Sequence, residues 1–169
     1  MRKNRENLHQ RGFSLVELMI VISIIGILVA IGIPAWQGAV RSANEAATIK
    51  HLSEIQTAQV TYYNTQNRTG YGKFTDLVSG GFLKEAFNSD QPVVDGYVYN
   101  MTITPRGNNQ PPTFSVNANP EKATGVTATG SQYFYFGSDT STPRYNKQRP
   151  ATADDPARSR RVPGLTSSC

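Results

Sequence analysis

The sequence predicts an α+β chain in which a long N-terminal α-helix, over about residues 13–65, packs through its outer half on a small β-sheet region. Three observations predict it. From Leu18 to Trp36 there are 19 residues without a charge, close to the roughly 20 that cross a bilayer core as a helix. Ala46, Ile49, Leu52, Ile55 and Tyr62 then recur near helical spacing, with no linker between the two stretches. Beyond residue 66, short alternating segments lie between clusters of Gly, Pro, Asn and Thr, the composition of strands and turns.

Residues 1–12 form a basic leader, with Arg2, Lys3, Arg5 and Arg11 against Glu6. A secretory signal ordinarily places its cleavage site after the apolar core. Here the evident break, Gly12-Phe13, precedes it, so loss of the leader keeps the apolar segment 13–36 as an anchor. The basic residues favour a cytoplasmic N-terminus and an exported C-terminal part. Residues 37–65 continue as the amphipathic half of the same helix, with Glu45, Lys50, Glu54 and Gln59 between the apolar positions and His51 as a surface or partly packed residue. The whole helix spans about 80 Å. Gly26, Gly32, Gly38 and Pro34 weaken its inner half, where a kink or locally melted turn is expected.

Residues 66–142 read as a small head. Phe74 to Phe87 suggests a short helix, and Tyr97–Ile103, Phe114–Ala118 and Gln132–Phe136 are strand candidates. Residues 143–169 carry six basic side chains against Asp154 and Asp155 and few apolar ones, which reads as a strand end followed by a basic, largely disordered tail. The one cysteine, Cys169, allows no intramolecular disulfide and no multi-cysteine zinc site. Length and composition exclude a large multidomain enzyme, and the apolar run argues against a simple cytosolic protein.

Glu17 stands out because it is the one charge at the edge of the apolar run. An unpaired carboxylate held in hydrocarbon costs about 3 kcal/mol. Cleavage after Gly12 creates an amine on Phe13, one helical turn away, which a neighbouring copy shifted along its axis can present to Glu17. The alternative is an acid in the headgroup region, favoured by the dipole at the start of a helix. Both readings stand on the residues alone.

The segment Gly12-Phe13-Ser14-Leu15-Val16-Glu17-Leu18-Met19-Ile20-Val21-Ile22, with its charged leader and apolar continuation, resembles the N-terminus of type IV pilins and of the pseudopilins of type II secretion. The resemblance implies the pilin fold, a long helix on a small antiparallel sheet. It implies a prepilin peptidase that cuts after Gly12 and methylates the amine of Phe13, and a role for Glu17 in assembly. It also implies loosening of the helix between Gly26 and Pro34, storage in inner-membrane lipid, and polymerisation with copies of the same chain by inner-membrane pilus or type II secretion machinery. The product is a filament in the periplasm or outside the cell. Many pilins close the C-terminal region with a disulfide, which this chain alone cannot form; hydrogen bonds or a calcium ion are the alternatives.

Asp139, beside Thr140 and Ser141, and Asp95, with Asp90 in an earlier loop, are the calcium candidates. Ordinary turn chemistry accounts for the same residues. No catalytic residue is assigned, because the sequence has no nucleophile elbow, phosphate-binding glycine loop or paired-cysteine motif. Nucleic acid is not an expected partner, the basic tail being more simply a solvated one. The expected function is a structural subunit of a type IV pilus or similar filament, with a major G-type pseudopilin as one alternative and a monomeric membrane-anchored binding module as another.

Overall fold

A computed structural model describes residues 13–66 and 68–157. The leader with Gly12, and the end of the tail with Cys169, lie outside the described residues. Helix α1 is Leu15–Thr65. Ser14 precedes it, its carbonyl accepting the Leu18 N–H at 3.2 Å, the first bond of the helical ladder. The locally melted turn expected near Pro34 is not there: α1 is α-helical without interruption through Gly26, Gly32, Pro34 and Gly38.

The chain divides into two compact units, residues 1–38 and 39–169. In the first, the described residues are those of the inner half of α1. The second holds the outer half of α1, helix α2 (Phe74–Ser79), a 3-10 turn (Glu85–Phe87), and strands β1 (Val93–Val94), β2 (Tyr97–Thr104), β3 (Thr113–Pro120), β4 (Tyr133–Gly137) and β5 (Arg144–Asn146). The strands form one sheet in the order β1-β2-β3-β4-β5, each antiparallel to its neighbour. The expected fold class is therefore the observed one.

Within the second unit the three predicted strands lie where alternation placed them. Phe114, Val116 and Ala118 of β3 point into the core with Tyr97 and Tyr99 of β2 and Phe134 and Phe136 of β4. Burial pushes the Tyr99 phenol well above its ordinary ionisation range, so it stays neutral. The predicted Phe74–Phe87 helix is split. Gly80 and Gly81, the latter at φ +73°, close α2 with the Gly81 N–H donating to the Val78 carbonyl and that of Phe82 to Leu77, and the chain re-enters a helical turn only at Glu85.

The outer half of α1 corrects the expected stripe. Leu52, Ile55 and Ala58 are buried, but so are Glu45, Thr48, His51 and Gln59, while Ala46 is exposed. A helix laid on a small sheet also covers the loops at its ends, and loops present backbone groups that need polar partners. Gln59, fully buried, supplies two of them: its Nε2 donates to the Gly72 carbonyl at 2.6 Å and its Oε1 accepts the Gly72 N–H at 3.1 Å.

Two short strands escape the alternation rule. Strand β1 is joined to β2 by Asp95-Gly96, both at positive φ (50° and 72°), the geometry of a two-residue hairpin turn. Strand β5 opens the segment read as a strand end followed by a disordered tail, and the order continues beyond that strand end to residue 157. Asp155, 7% exposed, is the reason. Its Oδ1 accepts from Asn146 Nδ2 at 2.9 Å and Arg149 Nη2 at 3.0 Å, and its Oδ2 from the Thr152 N–H at 2.8 Å and hydroxyl at 3.1 Å. Asn117 of β3 holds the same segment through the Ala151 carbonyl at 2.7 Å.

The Asn146 amide and the Thr152 backbone N–H, aided by Arg149, hold the Asp155 carboxyl below its ordinary range. A depressed carboxyl contributes stability that is complete above its unfolded pKa of about 4 and is lost as pH falls through its lowered folded value. Asp155→Ala is expected to open the segment at neutral pH, so that trypsin cuts after Lys147 about tenfold faster than in the wild type. Unchanged cleavage kinetics would mean that the carboxylate does not hold the segment.

Candidate assembly surface

The inner half of α1 has an unusual distribution of surface. Sixteen large apolar side chains between Phe13 and Trp36 are exposed, on all sides of the helix, with Phe13 at 79%. Covering one such side chain is worth about 1.5–3 kcal/mol, so the set represents tens of kcal/mol. A stripe on one side would suit a partner domain, whereas an all-round apolar helix requires lipid or a ring of other helices. By length and composition this is the one membrane-spanning candidate among the described residues.

Glu17 sits in the first turn of this helix, exposed, and forms no ion pair among the described residues. Ser14 before the helix and Glu17 three residues later also follow the spacing of a capping box. The carboxylate is thus positioned at the positive end of the helix and one turn from Phe13. Gly26 and Pro34 both lie within the helix, with open space around the Gly26 position.

The N-terminal motif is matched by the family model of the prokaryotic N-terminal methylation motif over residues 7–33. Relatives extend the likeness into the second unit. The type IV major pilin protein PilA of Myxococcus xanthus is 38% identical over 88 residues, covering 52% of this chain and 38% of that protein. A fimbrial protein of Moraxella nonliquefaciens is 36% identical over 97 residues, 53% of this chain and 62% of that protein. A fimbrial protein of Neisseria meningitidis serogroup B is 33% identical over 106 residues, 62% of each chain. Over these stretches the chain is similar to type IV pilins and fimbrial proteins. It spans less than two thirds of the length of these relatives. No solved structure matches the chain.

The other predicted site residues serve the second unit itself. The Asp95 carboxylate lies 2.8 Å from His51 Nε2, and the His51 Nδ1 is 3.4 Å from Glu54. His51, read as a surface or partly packed residue, is buried edge-on against Phe87 and Tyr99 and ties α1 to the β1–β2 turn. Partial burial pushes the Glu54 carboxyl up, but Lys84 and His51 outweigh it and hold it below its ordinary range. Asp139 accepts from the Tyr135 hydroxyl at 3.3 Å. Among the described residues no three His, Cys, Asp or Glu side chains gather as a metal site. Asp95 and Asp139 each have a side-chain partner of their own.

Sequence reasoning missed the contacts that fasten the head to its helix: His51 to Asp95, Gln59 to Gly72, and Glu45 to Ser131. The Asp-Gly pair after Val93-Val94 was a readable hairpin signal. The polar helix residues carried none, because their partners, the Asp95 carboxylate, the Gly72 backbone and the N–H and hydroxyl of Ser131, are brought to them only by the tertiary fold.

Proposed function

We propose that this chain is a structural, non-catalytic subunit of a type IV pilus or pilus-like filament. A prepilin peptidase cuts between Gly12 and Phe13 and methylates the new amine. The mature chain waits in the inner membrane with its N-terminus toward the cytoplasm and its second unit outside, and is then extracted into the polymer. The all-round apolar surface from Phe13 to Trp36 carries this reading. Lipid covers it in the store and neighbouring copies cover it in the filament. Because one apolar environment replaces another, the net hydrophobic gain is small, and helix packing, pairing of Glu17 with the Phe13 amine of a neighbour, and an external motor set the direction. Gly26 and Pro34, weak points of a continuous helix, bound the stretch that loosens during extraction.

Relatives bearing the names of major pilins and fimbrial proteins favour a surface pilus over a secretion pseudopilus. A deletion strain separates the two. Loss of shearable surface fibres with normal protein secretion is the expected result; intact fibres with defective secretion would assign the chain to a pseudopilus.

A further inference from the structure

Arg41 ends the uncharged part of α1, and its own charge is unanswered. No charged residue stands between Glu17 and Arg41, and the 24 positions separating them make about 36 Å of helix. A bilayer has about 30 Å of hydrocarbon and about 40–45 Å with its headgroups. A spanning helix therefore puts these two charges in opposite headgroup layers.

Within the second unit, Arg41 Nε donates to the Ala128 carbonyl at 3.2 Å and Nη2 to the Gly125 carbonyl at 2.8 Å. Both acceptors are neutral. Asn44 holds the same loop through the Thr129 carbonyl at 2.8 Å. Glu45 is spaced to pair with Arg41 across one turn, yet it is buried and its Oε1 accepts from the Ser131 N–H at 3.0 Å and hydroxyl at 2.7 Å. Arg41 has no carboxylate partner among the described residues. Its two bonds leave three of the five guanidinium N–H donors, on a half-exposed side chain. The loop it clasps is exposed from Glu121 to Thr127, carries Lys122, and presents Val126 at 70% exposure.

We propose that Arg41 and this loop form a seat for the phosphate of a membrane phospholipid, with Val126 entering the boundary between headgroups and acyl chains. The inference rests on the membrane-anchored reading above. A guanidinium fork matches phosphate oxygens, and the two carbonyl bonds fix its direction before the lipid arrives, which lowers the ordering cost of binding. Lys122 adds attraction to anionic lipid. The apolar tip beside the guanidinium is what distinguishes a lipid phosphate from a free one.

The test uses the full chain in vesicles of phosphatidylcholine and phosphatidylglycerol containing lipids brominated near the top of the acyl chain. The reporter is V126W in a W36F background, with Trp36 of the otherwise unchanged chain reporting on the helix. The V126W indole is expected to shift its emission to the blue and be quenched by the brominated lipid. R41Q abolishes that quenching without altering the quenching of Trp36, and excess inorganic phosphate leaves it unchanged. A solvent-like, unquenched V126W indole together with a quenched Trp36 would overturn the seat and leave the anchor standing. An unquenched Trp36 would remove the anchored reading and the seat with it. Loss of V126W quenching on adding inorganic phosphate would reject the lipid as the occupant.

Discussion

Glu17→Ala leaves the chain in the membrane and abolishes filaments. Insertion depends on the sixteen exposed apolar side chains from Phe13 to Trp36, and removing a carboxylate beside them favours it if anything. Assembly is different if the carboxylate answers the Phe13 amine of a neighbouring copy. Deleting one partner of a buried ion pair strands the other, at a cost of about 3–5 kcal/mol, and a polymer incurs that cost at every subunit. The competing role, an acid favouring the start of a helix, is worth only about 0.3–1 kcal/mol and would leave fibre yield nearly normal. Sheared-fibre yield compared with the amount of subunit in the membrane fraction distinguishes the two. Wild-type fibre yield from E17A would refute the pairing.

Gln59→Leu is expected to cost the head about 2–4 kcal/mol, because it leaves both the N–H and the carbonyl of Gly72 buried without a partner, each loss being worth about 1–3 kcal/mol. Gln59 is fully buried and leucine has a similar volume, so the effect isolates the hydrogen bonds from the packing. Thermal unfolding of the full chain in detergent, followed by near-ultraviolet circular dichroism, should show a midpoint lower by about 10 °C. A midpoint unchanged within error would mean that Gly72 recovers its bonds elsewhere and that the loop is not fastened through Gln59.

The two substitutions mark where the sequence was legible and where it was not. The apolar helix, Glu17 and the three long strands follow from local patterns: a charge-free run, a lone acid at its edge, and alternation at period two. Such signals need no knowledge of what lies across the fold. Gln59 and Glu45 are ordinary polar residues by spacing, and only the tertiary arrangement brings Gly72 and Ser131 to them. Asp155 is the same case in reverse. Its segment is polar and proline-containing, as a disordered tail would be, yet one carboxylate accepting from three residues and the Asn117 amide on β3 keep residues 144–157 in place. A chain without an internal disulfide reaches closure by hydrogen bonds, a possibility that composition admits but cannot locate.

The intact mass of the subunit recovered from sheared filaments tests the central claim most directly. A chain that starts at Phe13 and carries one added methyl group is the predicted result, since the apolar helix must survive processing to form the filament core. A mature species that begins downstream of Trp36 and is recovered free of membrane would contradict the account.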